Sequence, residues 1–372
     1  MDPHTQFCHN LDCSARGQVG QGNIHIHSRA HRRYRCTTCG RTFAETRGTP
    51  FYRKRTAHDV ITLVLTLLTH GCPIQAIVAA FGFDERTVAA WQRQGGQHGQ
   101  QVHAHVVQRG RVDLQHVQAD AMGIKRVGRR VWMAMALAVP SRLWLGGVIS
   151  PRRDLALIMT LVQMIRSCAK SLAILVCVDG LASYVTAFLR VFRNPVRTGG
   201  VGRPRLERAP GLLIGQVVKH RSGHRLKEVT RRVICGTAVA LAAALRASGG
   251  GTQINTADIE RLDATFRGAL PPRVRRGRAL ARQEATLVSG MFLVGCAYNF
   301  CWEHESLRVK TGESGGRKWQ GRTPAMAAGL TDHRWTMQEL LSYRIPPPPW
   351  EAPKRRGRPP KPKGQAENAV AA

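Results

Sequence analysis

The chain has 372 residues, enough for two or three domains with a sizeable core, and its 56 Lys and Arg against 23 Asp and Glu give a formal net charge of +33. Such an imbalance makes a polyanion the expected partner, with nucleic acid first. A membrane is disfavoured, because the start "MDPHTQFCHN" lacks a signal peptide's apolar core, no basic amphipathic helix or lipidation motif is present, and the longest apolar run, Val233 to Leu245, is 13 residues.

A cytosolic protein is therefore expected, and its ten cysteines should be metal ligands or core residues rather than disulfides. Residues 1–55 are rich in Cys, His and Arg and poor in aliphatics. "FCHNLDC" supplies Cys8 and Cys13, and "YRCTTCGRTF" supplies Cys36 and Cys39 with Gly40 placed for a tight turn. Two cysteine pairs separated by a loop form a zinc-ribbon pattern, in which tetrahedral Zn²⁺ supplies the folding energy that a short domain without a core lacks. His9, His25, His27 or His31 could stand in for a cysteine, and the bland alternative is four unrelated buried thiols.

Residues 56–105 read as helices. Ile61, Val64, Leu65 and Leu68 recur at helical spacing, "HGCP" breaks the pattern, and Ile74, Ile77, Val78 and Phe81 resume it. Gly82 then marks a turn and Asp84 caps a third helix. This is a helix-turn-helix order, with Arg86, Thr87, Gln92 and Arg93 as candidate DNA contacts; a plain three-helix bundle is the alternative.

Residues 110–310 alternate strand and helix patterns. Strands are expected over 114–127, 131–139 and 143–150, a helix over 154–169, a buried strand over 172–181, a helix at "SYVTAFLRVF", a strand over 211–220 and then a further helix. That order is α/β and is that of a ribonuclease-H-like fold. Asp120 on the first strand, Asp179 at the end of the fourth and Glu260 on the late helix then occupy the places where three carboxylates hold two Mg²⁺ (or Mn²⁺) ions. Taken singly, each acid has a plain reading: an edge-strand charge, an Asp-Gly turn and a solvated helix charge.

On the late helix, Asn255 or Thr256 can cap, Ile259, Leu262 and Phe266 form the buried stripe, and Glu260, Asp263 and Arg267 share another face. Arg261 and Arg267 suit phosphate contacts, as do Arg273, Arg275, Arg276 and Arg278 in "PPRVRRGRALAR". After a C-terminal extension over 311–344, the Pro- and Lys/Arg-rich segment 345–372 should be disordered. Its Arg356 and Arg358, in "RGRP", resemble the core of an AT-hook.

Taken together, "RYRCTTCGRTF", the helical reader, "VQAD", "VDG", "NTADIERLDATFR" and "YNFCWEHESLR" resemble bacterial insertion-sequence transposases of the insertion-sequence-one type over roughly residues 5 to 335. The resemblance implies a DDE transposase with Asp120, Asp179 and Glu260 as its carboxylate triad. It implies cleavage and joining of double-stranded DNA at element ends by a homo-oligomer in the bacterial cytoplasm, close to the nucleoid. The chain departs from the family in Ala121 and Met122 after the first aspartate, and in Asp263 where relatives often have Asn. The alternatives are a DNA-binding protein without catalysis, such as a decayed copy or repressor, and a nuclease for branched DNA.

Overall fold

In the computed structural model the described residues are 1–126, 129–197, 202–223, 225–270, 284–310 and 318–352. They fall into two compact units, Met1–Glu45 with the segment from Pro346 onward, and Thr46–Ile345. In the first unit, β1 (Ile24–Ser28), β2 (Arg33–Cys36) and β3 (Thr42–Ala44) form an antiparallel sheet. Its core is small: Tyr34 stacks on Phe43 at 5.8 Å, beside Ile24 and three of the cysteines. So few apolar side chains cannot offset the chain entropy of 45 residues without a cross-link or a metal. Residues 346–352, expected to be disordered with the rest of the tail, are placed in this unit, with the Pro347 carbonyl against Gly17. A proline run is already extended and loses little entropy on docking. Residues 353–372, including Arg356 and Arg358, lie outside the described residues.

The second unit is mixed α/β. It begins with α1 (His58–Thr69), α2 (Ile74–Phe81) and α3 (Glu85–Val102). Next come β4 (His116–Arg126), β5 (Arg129–Ala138), β6 (Leu143–Ser150), α4 (Leu155–Cys168), β7 (Leu175–Asp179) and α5 (Ala182–Val191). A small hairpin, β8 (Arg193–Val196) and β9 (Arg205–Arg208), precedes β10 (Leu213–Ser222), β11 (Arg225–Cys235), α6 (Ala238–Ala247), α7 (Ala257–Ala269) and α8 (Glu284–Cys296). The described residues end with the short pair β12 (Val309–Lys310) and β13 (Trp319–Gln320), then α9 (Pro324–Ala327) and α10 (Met337–Ser342).

The central sheet has the order β11-β10-β7-β4-β5-β6. β4 runs parallel to β7, and β7 to β10, while β5, β6 and β11 are antiparallel to their neighbours. Period-two alternation splits the sheet cleanly. Val117, Ala119 and Ala121 of β4 face the α4 and α5 side, and Met122 and Ile124 face α7 and α8. Alanines of β4 and β5 line the face that α4 covers. β11 was not anticipated. Its pattern, "RLKEVTRRVIC", is charged on both faces because it is an exposed edge strand, so no alternation marks it. The apolar run Val233 to Leu245 divides between the end of β11 and α6, with the left-handed Gly236 (φ +90°) at the join.

α3 runs for 18 residues. Its second half lies across α8, where a Cβ on Gly96 would come within 2.2 Å of the Ser289 backbone and one on Gly99 within 3.0 Å of the Phe292 carbonyl. The "GGQHG" glycines are thus a contact surface, and they seat α1–α3 in the same unit as the sheet.

α8 is apolar on all sides because it is buried on all sides. With its continuation to Leu307 it is long and apolar enough to cross a bilayer, but most of it is enclosed by the fold. Trp144 of β6 packs on Phe266 (5.6 Å) and Phe292 (5.5 Å), and Gly295 lies flat against its ring, where a Cβ would come within 2.1 Å. Gly295→Ala is therefore expected to destabilise the unit by about 1–3 kcal/mol, read as a lower urea midpoint at unchanged slope. In "YNF", the Asn299 side chain accepts from the Trp144 amide and donates to its carbonyl, both at 2.9 Å, satisfying both backbone groups of this residue on the edge strand β6.

Candidate metal centres

Cys8 and Cys13 come from the N-terminal loop, Cys36 from the end of β2 and Cys39 from the turn after it. Gly40, at φ +70°, donates its amide to the Cys36 carbonyl at 2.8 Å and so closes the knuckle. The four sulfurs lie within 4.8 Å of one another, with Cys8 and Cys39 Sγ at 3.7 Å and Cys13 and Cys36 Sγ at 3.9 Å. Zn–S bonds of about 2.3 Å in a tetrahedron put sulfurs about 3.8 Å apart, so this cluster can hold a structural zinc as it stands. Burial pushes the Cys8 and Cys13 thiols up. Burial acts the same way on Cys39, but hydrogen bonds from the Arg41 amide, Cys8, Asn10 and Cys13 outweigh it and bring that thiol down to about 7. None of His9, His25, His27 or His31 joins the set.

The acids form a second constellation. Ala119 pairs with Val178 across the parallel β4–β7 ladder, so the next residues, Asp120 and Asp179, sit side by side. Alternation turns both towards the face covered by α6 and α7, since Leu175 and Cys177 pack there too. Asp120 accepts from the Ala121 amide at 2.7 Å. Burial, and then the charge of Asp179, hold its carboxyl above the usual carboxylate range; the Ala121 amide, Arg153 and a hydrogen bond with Asp263 act against this. Asp179 accepts from the Leu181 amide at 3.1 Å, so the Asp-Gly pair does make a turn as well as present a carboxylate. Its other oxygen meets Arg153 Nη2 at 2.5 Å, and that guanidinium lies over the Trp132 ring at 5.1 Å. Oxygen-only donors of this kind suit Mg²⁺ or Mn²⁺, and Arg153 stands beside them as a cation of the protein's own. Among the described residues, the four cysteines are the one group of three or more potential ligands gathered within 4.8 Å.

α7 is fixed at its start by the expected Asn255 and by Gln118, which the pattern of the sequence does not single out. The buried Gln118 of β4 accepts from the Asp258 and Ile259 amides, both at 3.0 Å, and donates to Asn255 at 3.3 Å. Asn255 in turn accepts from the Ala257 amide at 3.1 Å, so of the two expected caps it is Asn255 whose side chain acts. Arg142, in the β5–β6 turn, forms an ion pair with Asp258.

One expectation about this helix is corrected. Glu260, Asp263 and Arg267 do not share an outward face. Glu260 and Arg267 are exposed, whereas Asp263 is 1% exposed. Asp263 lies one turn after Ile259 and one residue after Leu262, so it belongs to the edge of the buried stripe. Glu260 instead pairs with Lys219 of β10 and accepts from the Thr256 hydroxyl at 2.7 Å.

Of the expected DNA contacts, Arg86 and Arg93 are exposed on α3 while Thr87 and Gln92 are half-buried. Asp84 caps the helix as expected, accepting from the Arg86 and Thr87 amides at 2.9 and 3.3 Å. Gly82, at φ +69°, makes the turn before it. Arg261 and Arg267 are exposed on α7. Arg273, Arg275, Arg276 and Arg278 lie outside the described residues. Cys296 and Cys301 are core residues.

No family model matches this chain, and no curated protein is significantly similar to it.

Proposed function

We propose that this protein is a DNA transposase of an insertion sequence, built from a zinc ribbon, a helix-turn-helix reader and a ribonuclease-H-like catalytic domain. The single observation that carries this reading is the Asp120–Asp179 pair, set on adjoining parallel strands and facing the acid-bearing α7. The strand order supports it. Numbered within the domain, β6-β5-β4-β7-β10 runs 3-2-1-4-5, the meander-then-parallel arrangement expected of that fold.

Asp120, Asp179 and an acid of α7 would hold two divalent ions, which when bound activate the attacking oxygen and neutralise charge on the leaving one. The protein's own side chains do the rest. Arg153 orients Asp179, Gln118 and Asn255 hold α7 against β4, and Lys219, Arg261 and Arg267 offer cations to the phosphates of the incoming duplex. Arg86 in the first turn of α3 and Arg93 midway along it, both exposed, would read the element ends, with further copies of the chain on the same DNA.

The test is incubation of the full chain with Mg²⁺ or Mn²⁺ and a duplex carrying the terminal sequences that flank its gene. Nicking and joining are expected from the wild type and not from Asp179→Ala. Tight binding without cleavage under either metal would leave only the DNA-binding reading.

A further inference from the structure

We propose that the β10–β11 hairpin is a second DNA-binding element, a basic ribbon that grips the phosphates of a duplex whatever its sequence. It rests on the DNA-binding part of the reading above, not on catalysis.

The two strands pair from Ile214 opposite Cys235 out to Ser222 opposite Arg225. β7 covers only the first half of β10, and its last rung sets Val217 beside Asp179. From Val218 onward the hairpin has no third strand. Residues 218–222 and 225–230 therefore leave the sheet at the rung of that acid, and the β10 part alone reaches about 17 Å outward. The base of the hairpin is anchored. Val217 and Val229 pack into the cluster that holds Leu241 and Ile254, and Arg231 Nε donates to the Ile254 carbonyl at 3.0 Å. Beyond that base the charge is left open. Arg225, Lys227 and Arg232 are exposed, and among the described residues no carboxylate forms an ion pair with any of them. Glu228 is the one acid of β11.

An open edge strand invites another strand, and Leu226, Val233 and Ile234 are exposed along this one. Charge decides against a second copy of the chain. Edge-to-edge pairing would set arginines and lysine against their own kind, in a chain already at +33. A duplex reverses the sign, with one phosphate charge for about every 1.7 Å of its axis. Its major groove, about 12 Å wide, admits a two-stranded ribbon. Neighbouring residues of a strand face opposite ways, so Arg231 and Arg232 put cations on both faces of the hairpin. Contacts of this kind hold the duplex in position and carry no sequence information, which leaves reading to α3.

The test is a fluorescence-anisotropy titration of the full chain against two duplexes of equal length, one carrying the terminal sequences that flank the gene and one unrelated. A variant combining Arg225→Ala, Lys227→Ala and Arg232→Ala is expected to bind both about tenfold more weakly, or worse, at about 100 mM salt. Its log Kd should depend on log salt with a slope smaller by about 2–3, since each phosphate contact contributes about 0.9. Glu228→Gln, in the same hairpin, should bind both duplexes about twofold more tightly, a gain that misfolding cannot imitate. A triple variant that binds like the wild type overturns the inference alone. If the triple variant folds poorly, a Glu228→Gln chain that binds no tighter overturns it instead. A wild type that binds neither duplex fails the DNA reading, and the inference with it. A loss confined to the terminal duplex would make the hairpin a sequence reader. A changed oligomeric state with unchanged DNA affinity would make it a self-pairing edge. Either result overturns the proposal.

Discussion

Stripping metal from the four-cysteine cluster with a chelator, or replacing Cys36 with Ser, is expected to unfold Met1–Glu45 outright. The reason is the size of its core, which amounts to Phe7, Ala15, Ile24, Tyr34, Phe43 and the ligands themselves, with Met1 and Ile26 packed against them. A structural zinc contributes an apparent 10–16 kcal/mol, roughly, to a domain of this kind, far more than those side chains can. Elemental analysis should find one zinc per chain in the wild type. Limited proteolysis after chelation should cut within the first 45 residues while Thr46–Ile345, with its own core, resists. Unchanged protease resistance in zinc-free protein would show that the ribbon folds without its metal.

On the proposed transposase reading, Asp120→Asn should reduce DNA cleavage by about a thousandfold or more and, in the same protein, raise stability in Mg²⁺-free buffer. The second effect follows from the sign of the linkage. The folded-state pKa of Asp120 is raised above its ordinary value of 3.8, so between those two values the folded protein binds more protons than the unfolded one. Stability is therefore lost as pH rises through that window, and at neutral pH the ionised carboxylate is a net cost. Asn keeps the shape and removes the charge. Thermal melts should show a higher Tm for Asp120→Asn than for wild type without divalent ions, and adding Mg²⁺ should raise the wild type but not the variant. A lower Tm for the variant in Mg²⁺-free buffer would mean that the charge is already compensated.

Much of this architecture is written plainly in the chain. The cysteine pairs, the cap at Asp84, the turn at Gly82 and the strands bearing Asp120 and Asp179 are set by local chemistry, and local chemistry is what a sequence displays. What stayed hidden depends on the partner across a gap. Gln118 looks like any polar strand residue until α7 presents two free amides to it. Asp263 looks like one more helix charge, because spacing alone puts it at the boundary between two faces and only the docked sheet decides which side it takes. β11 hides for the opposite reason: an edge strand with charges on both faces has no alternation to reveal it.

The glycine crossing of α3 over α8 has a mechanical consequence. With Gly96 and Gly99 in backbone contact there is no side-chain layer to shear at the crossing, so α3 and the buried α8 are expected to move together. A duplex gripped by Arg86 and Arg93 would then be held at a set distance and angle from Asp120 and Asp179. On the proposed transposase reading, the offset between the bound sequence and the bond to be cut would then stay constant from one DNA end to the next.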